Sequence, residues 1–257
     1  MGTLPAQESY TTKVVDAFDC DLVIPAFNEE ARLGDTIASL HQAAMAASLQ
    51  VRYIVVDNGC VDATADIVDT ARRLDVPIEF MSCQTRGKGA AVRAGIRRST
   101  APFVGYCDAD RSTPASSVEH GLALLQSGWE VVVGSRRCAG AAYTNPQPAS
   151  RRIGSYAFHA VATKLTGPMS DTQCGFKLFT APVAKALFDA TTLNGFAFDV
   201  EILAMARKAD FRMIELPIKW SDSEGSTFRP LSDGLRSFSE LRAAARSLHT
   251  STAAFAR

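Results

Sequence analysis

The sequence predicts an α/β fold with a mostly parallel central sheet flanked by helices. Two observations predict it. Apolar runs of strand length alternate with helix-like segments from Asp21 to Gly134. Polar and acidic residues also follow directly on several of the apolar runs, as at Asp57 and Asp108. Parallel strands with right-handed crossovers bring their C-terminal ends to one edge, where open α/β sheets bind ligands.

The elements follow in order. Asp21–Pro25 reads as a strand whose ladder Pro25 stops, because proline has no N–H. Acidic residues then open a helix over Glu30–Ala47, where its dipole favours them. Val51–Asp57 is the second strand, and Asp62 caps a helix over Asp62–Leu74. Ile78–Met81 is the third strand, followed by a helix over Lys88–Arg98. Phe103–Cys107 is the fourth, ending in Asp108-Ala109-Asp110, with a helix over Ala115–Gln126 and a strand over Glu130–Gly134. Beyond Ser135 the alternation weakens. Gly140–Ala149 reads as a mobile loop, Ser150–Leu165 as a helix, Phe176–Phe179 as a strand, Asp199–Ala209 as a helix and Met213–Trp220 as a strand. Ser221–Pro230 reads as flexible and Leu231–Leu248 as the last helix. This organisation gives an N-terminal extension (1–19), one domain (20–248) divided near residue 135, and a short tail (249–257).

Composition narrows the function. Hydrophobic residues make up 47% and charged residues 21%, which is globular. Lys+Arg and Asp+Glu both number 27, so no basic field invites a nucleic acid. No apolar run reaches the roughly 20 residues of a membrane span, and the N-terminus lacks an apolar signal core. The six cysteines lack C-x-x-C spacing and read as reduced thiols of a cytoplasmic protein.

Three strand ends carry chemistry. Asp108 and Asp110 are two hard oxygen ligands one residue apart, suited to Mg2+ or Mn2+ with phosphate oxygens and water completing the shell; the alternative is a solvated acidic turn. Asp57 can accept hydrogen bonds from a base or a ribose, or shape a turn. Asn28, Glu29 and Glu30 bind a ligand or cap a helix. Arg86-Gly87-Lys88-Gly89 precedes a helix N-terminus, where glycines let the backbone approach a phosphate; an ordinary turn is the competing reading.

Together these segments resemble the family-2 glycosyltransferases of the GT-A (nucleotide-diphospho-sugar transferase) fold. The matching stretches are LVIPAFNEE (22–30), VVDNGCVD (55–62), RGKGAAVRAGI (86–96), DAD (108–110) and VVVGSR (131–136). DTQCGFKLF (171–179) and FAFDVEIL (196–203) are similar to one subgroup, the dolichyl-phosphate (polyprenyl-phosphate) β-glucosyltransferases. The resemblance implies a metal-dependent, inverting hexosyl transfer from a nucleotide-diphosphate sugar, UDP-linked, to a polyprenyl-phosphate acceptor. It implies that Pro25, Glu29 and Asp57 line the nucleoside pocket. It gives Asp108, Ala109 and Asp110 to the diphosphate and metal, with Asp110 the direct ligand, and Arg136 to the phosphates or the acceptor. The chain departs from the pattern at Asn58 and Cys60, where D-D-G-S is usual, at Arg111-Ser112, and at Gly225-Ser226-Thr227, where a lysine is missing and Arg229 lies near.

The acceptor half holds Arg136, Arg137, Arg151 and Arg152, suited to bidentate phosphate recognition or simply a solvated basic face. A phosphate acceptor is already a nucleophile, whereas a sugar hydroxyl needs a base. Asp171 and Asp199 are the candidate bases; Asp171 otherwise braces an arginine, and Asp199 otherwise caps a helix. The apolar stripe of the last helix, from Leu231 to Leu248, packs in the core or lies on a membrane surface. The expectations are thus transfer to a lipid phosphate, with peripheral contact at the inner face of the membrane, or to a soluble acceptor. A non-catalytic nucleotide-sugar-binding protein and a nucleotidyltransferase are the rivals from other classes, and a homodimer is the expected assembly.

Overall fold

The computed structural model describes residues 18–143, 149–220, 239–242 and 245, with the side chains of 143 and 149–157 outside that description. The elements in the nucleotide half are β1 (Cys20–Ala26), α1 (Leu33–Ala46), β2 (Val51–Asp57), α2 (Thr64–Arg73), β3 (Ile78–Ser82), α3 (Lys88–Arg98), β4 (Phe103–Cys107), α4 (Ser117–Gln126) and β5 (Val131–Ser135). After them come β6 (Ala142–Tyr143), α5 (Ala149–Thr166), β7 (Phe176–Thr180), α6 (Ala181–Ala190), α7 (Phe198–Lys208), β8 (Met213–Pro217) and β9 (Lys219–Trp220).

Seven strands form one sheet in the order β3-β2-β1-β4-β7-β5-β8. Neighbours pair in parallel except at β7, which runs antiparallel to both β4 and β5. The mostly parallel sheet is therefore as expected, with one reversed strand inside it. That reversal matters for function. The residues leading into β7, 171–175, arrive at the edge where β4 and β5 end.

Successive side chains of a strand face opposite sides, and both sides are covered. Leu22, Ile24, Val55 and Leu178 join one core cluster with Leu33, Val68 and Leu122 of α1, α2 and α4. Val23, Val56 and Phe179 join a second with Val92, Phe188 and Phe198 of α3, α6 and α7. Burial on both faces makes these strands near-continuous apolar runs.

The structure corrects several boundaries. Pro25 does not stop β1: pairing with β2 continues through Pro25↔Val56 to Ala26, and only the β4 side of the ladder ends, at Val23↔Tyr106. Met213–Trp220 is two strands, β8 in the main sheet and β9 paired with β6. The loop read at Gly140–Ala149 contains β6, and its residues 144–148 lie outside the described residues. Helix α6, with Val183, Ala184, Leu187 and Phe188 buried, went unpredicted although Pro182 in its first turn is a helix-start signal. Residues 221–238 also lie outside the description, including Gly225, Ser226, Thr227 and Arg229. Of the last helix's stripe, Leu241 is buried against Phe158, Ala197 and Val200, as a core position should be. All six cysteines are free thiols; Cys20, Cys107 and Cys174 are buried.

Candidate active site

The loops after β1 and β2 are laced together. The Asn28 N–H meets Cys60 Sγ at 3.2 Å, and Asn28 Oδ1 accepts from Val61 N–H at 2.9 Å. The Glu29 N–H donates to Thr64 Oγ1, the Glu30 N–H to Asp62 Oδ2, and the Ala63 N–H back to Glu30 Oε2. These bonds hold residues 28–30 outside the helix, and Asn28 takes a left-handed φ of 56°. Helix α1 consequently begins at Leu33. Asn28 thus serves the neighbouring loop. The Glu29 carboxylate pairs with Arg32 at 2.6 Å. Burial raises the Glu29 pKa against the pull of Arg32, with Asp110 and Asp108 adding to the rise.

Asp57 closes β2. Its Oδ1 accepts from the N–H groups of Gly59 (2.9 Å) and Cys60 (2.7 Å), and its Oδ2 from the Ser82 hydroxyl. Burial works to raise its pKa, but these hydrogen bonds outweigh it and keep the carboxylate ionised. Asn58, the departure from the D-D-G-S pattern, binds the 83–87 loop. Its Nδ2 donates to the carbonyls of Cys83 and Thr85, and its Oδ1 accepts from Gly87 N–H at 2.7 Å. Among side chains of this size, only an amide carries two N–H donors together with an acceptor oxygen.

Asn58 therefore pins the start of the basic loop. Arg86 is exposed, and Gly87 opens α3 with a φ of 121°. The glycines answer to the protein as well as to any phosphate. A Cβ on Gly87 would lie 2.1 Å from Asn194 O, and one on Gly89 2.7 Å from Phe198 Cβ. The segment before α7 packs directly on this helix end, a constraint that local sequence does not reveal.

Lys88, at the start of α3, reaches across to the end of β4. Its Nζ lies 2.5 Å from Asp108 Oδ1. Burial disfavours the Lys88 charge, but Asp108, Asp199 and Asp110 outweigh it and hold its pKa above the ordinary value. For Asp108, burial and the nearby Asp110 raise the pKa against the pull of Lys88. Gly175 lies on the other side of Asp108: its carbonyl accepts the Asp108 N–H at 3.1 Å, and a Cβ at 175 would sit 1.9 Å from Asp108 Oδ2. Between the carboxylates, Ala109 is buried and its carbonyl accepts from the Thr36 hydroxyl. Asp110 accepts from Ser112 N–H at 3.0 Å and forms no salt bridge among the described residues. Arg111 follows at a left-handed φ of 60°. An open cavity of 250 Å³ adjoins Asp108, with Arg111, Thr113 and Lys219 in its wall.

Among the described residues, no three His, Cys, Asp or Glu side chains gather as a metal cage. Two carboxylate positions at an open edge nevertheless suit Mg2+ or Mn2+, which keep several ligand positions for phosphate oxygens and water. Asp110 is the less encumbered of the two.

On the acceptor side, Asp171 and Arg136 form a two-point ion pair. Arg136 Nε lies 2.6 Å from Asp171 Oδ2, Nη2 lies 2.9 Å from Oδ1, and the Arg136 N–H also donates to Oδ2. The guanidinium stacks over Trp220 at 4.9 Å. Asp171 is only 2% exposed. Burial works to raise its pKa, but Arg136 brings it down to about 2. Asp171 is thus placed as the arginine's brace, and a carboxylate so acidic is a poor base. Asp199, in the first turn of α7, is buried as well. It takes Lys177 Nζ at 2.5 Å and the Tyr106 hydroxyl on the same oxygen. Arg151 and Arg152 fall in α5, and their side chains lie outside the described residues.

Sequence reasoning overlooked Lys177, Tyr106 and Gly175, and marked Asn58 only as a departure from the family pattern. Lys177 had a readable signal: a lysine between Phe176 and Leu178 in a strand has to be paired if it is buried.

Comparison with known proteins matches this arrangement. The profile of "Glycosyl transferase family 2" matches residues 21–188, from β1 into α6. A dolichyl-phosphate beta-glucosyltransferase of Dictyostelium discoideum is 31% identical over 239 residues, covering 86% of this chain and 72% of that protein. The human protein of the same description is 30% identical over 249 residues, covering 89% and 74%. Among solved structures, glucosyl-3-phosphoglycerate synthase from Mycobacterium tuberculosis, in complex with Mn2+, UDP and glucosyl-3-phosphoglycerate, superposes with a TM-score of 0.67 at 17% identity. That match covers 90% of this chain and 80% of the synthase and places the sheet in the GT-A fold. The family profile spans the strand-end carboxylates and the basic α3 start, and the chain belongs to glycosyl transferase family 2 and is a glycosyltransferase.

Proposed function

We propose that this enzyme transfers glucose from UDP-glucose to the phosphate of a polyprenyl or dolichyl phosphate, with inversion at C1. The observation that carries the choice of acceptor is the state of the two acceptor-half carboxylates. Asp171 is bound by Arg136 and Asp199 by Lys177 and Tyr106, so neither stands ready to take a proton from a hydroxyl. A phosphate oxyanion requires no such base. The names of the relatives from Dictyostelium discoideum and human support both the glucosyl group and the lipid phosphate.

In this reading Pro25, Glu29 and Asp57 face the nucleoside, Arg86 and Lys88 face the donor phosphates, and Asp108 and Asp110 hold the metal-bound diphosphate. Bound there, Mg2+ or Mn2+ neutralises the charge that develops on the leaving diphosphate. Arg136, pre-aligned by Asp171 and Trp220, orients the acceptor phosphate. Arg151 and Arg152 add charge on the same side. An acceptor oxygen forms the new bond to C1 as the bond from C1 to the diphosphate oxygen breaks, and UDP leaves. A lipid acceptor brings the reaction to a membrane surface; no described helix is long and apolar enough to cross one.

The test is glucosyl transfer from radiolabelled UDP-glucose, with Mn2+ or Mg2+, to polyprenyl phosphate, polyprenol and water-soluble phosphate or hydroxyl compounds in parallel. Labelled β-linked lipid phosphate is the expected product. Turnover of a soluble hydroxyl compound with polyprenyl phosphate ignored would overturn the acceptor assignment.

A further inference from the structure

We propose that Lys177 is a positioning residue for the donor site: with Asp199 it fixes the Cys174–Gly175 turn that forms the wall behind Asp108. The inference rests on the reading of Asp108 as a donor-site carboxylate.

Lys177 is 0% exposed, and its strand partner Tyr106 is equally buried. The Lys177 ammonium donates to Asp199 Oδ1 at 2.5 Å and to the Cys174 carbonyl at 2.9 Å, and it lies 5.5 Å from the centre of the Tyr106 ring. Burying an ion pair is costly, and a well-packed apolar pair of similar volume often does as well for stability. The face around position 177 offers such packing, with Tyr106 and Phe198 of the second core cluster beside it. An apolar residue would not grip the Cys174 carbonyl.

That grip leads to Asp108 in one step. Gly175 follows Cys174, accepts the Asp108 N–H through its carbonyl, and leaves no room for a Cβ beside the Asp108 carboxylate. Where the turn sits, the carboxylate must sit. The opposite side of the carboxylate is held by Lys88 at 2.5 Å. The same network steadies that side too. Asp199 belongs to the first turn of α7, and its neighbour Phe198 packs on Gly89 in the first turn of α3, beside Lys88. One buried charge pair thus connects the two clamps on Asp108, from β7 and from α3.

The test replaces both charges together, Lys177→Met with Asp199→Asn, which keeps volume and leaves an acceptor for the Tyr106 hydroxyl. UDP affinity in the presence of Mn2+ is read by titration calorimetry, and kcat and acceptor KM by transfer assay. The expected result is a cooperatively melting protein whose UDP affinity and kcat each fall about tenfold or more, with acceptor KM unchanged. Gly175→Ala, which keeps the ion pair and displaces the carboxylate directly, is expected to reproduce the donor defect. Wild-type UDP affinity and kcat in the folded double variant would reduce the pair to a structural role and overturn the proposal. If the double variant does not fold, wild-type donor affinity in Gly175→Ala overturns it instead. Asp108→Asn is measured alongside. Full donor affinity and turnover there would sink the donor-site reading itself, whereas a defect there without one in the other variants sinks the Lys177 proposal alone.

Discussion

Lys88 Nζ lies 2.5 Å from Asp108 Oδ1, so a cation from the first residue of α3 meets an anion from the end of β4. The pair sits where the parallel strands end, with the Asp108 carboxylate confined by Gly175 behind it. A charge pair in this position does two things at once. It sets the carboxylate's orientation, and it keeps a positive charge at the edge where the proposed function puts the donor diphosphate.

Lys88→Met removes both effects while keeping the aliphatic stem. A charge-assisted hydrogen bond is worth roughly 1.5–3 kcal/mol, so kcat/KM for UDP-glucose is expected to fall about ten- to hundredfold. Steady-state kinetics at fixed acceptor concentration measure it, with circular dichroism to show the variant folded. An unchanged kcat/KM would remove Lys88 from the donor site.

Asp171 makes a prediction about pH. Its pKa is about 2 in the folded chain against an ordinary value of 3.8, because Arg136 outweighs the opposing effect of burial. A carboxyl depressed on folding adds stability that is complete above its unfolded pKa and is lost as pH falls through the folded one. The amount is about 2 kcal/mol, present at neutral pH and lost between roughly pH 4 and pH 2. Urea unfolding at a series of pH values should show this loss in the natural protein and a shallower acid limb in Asp171→Asn. Equal acid limbs would mean that the Arg136 pair does not persist in solution. At neutral pH the same variant takes the two-point contact from the half-buried Arg136 guanidinium, and the urea midpoint should fall there too.

How legible this was follows from where each constraint lies. Of the five strands up to Ser135, β1, β2, β4 and β5 are buried on both faces and β3 at the sheet edge only in part, so their apolar runs announce them, and the acidic residues that end β2 and β4 stand out against those runs. The pairing of β7 was not legible. Its reversed insertion between β4 and β5 is decided by long-range packing, and it alone brings Asp171 and Gly175 to the site. For the same reason the sequence leaves Asp171 open between base and brace, and the 2.6 Å contact with Arg136 decides for the brace. The glycines of 86–89 were visible, but half of their cause, Asn194 and Phe198, lies a hundred residues away in sequence.

Asn58 tests whether the departure from the D-D-G-S pattern is structural. Its amide donates twice and accepts once within the 83–87 loop, and a carboxylate cannot donate to the carbonyls of Cys83 and Thr85. Asn58→Asp is expected to cost about 1–3 kcal/mol in stability and to loosen the loop that presents Arg86 and Lys88. Thermal unfolding reads the first effect, and hydrogen exchange at residues 83–88 the second. A gain in nucleotide affinity without loss of stability would show instead that position 58 faces the base.

The acceptor assignment makes the most discriminating prediction. If the nucleophile is a phosphate oxygen, no protein base has to be deprotonated, and the acid limb of kcat/KM belongs to the acceptor. A phosphate monoester loses its second proton near pH 6, so the rate should rise through about that value and then level off. Asp171, held at about 2, is fully ionised across the whole range and contributes no inflection to it. A phosphonate analogue of the acceptor, with a higher second pKa, should carry the limb upward with it. A limb that stays in place when the acceptor is changed would belong to a group on the enzyme. If it also survives Glu29→Gln, and Asp108→Asn where that variant keeps turnover, it favours a hydroxyl acceptor and a base other than Asp171.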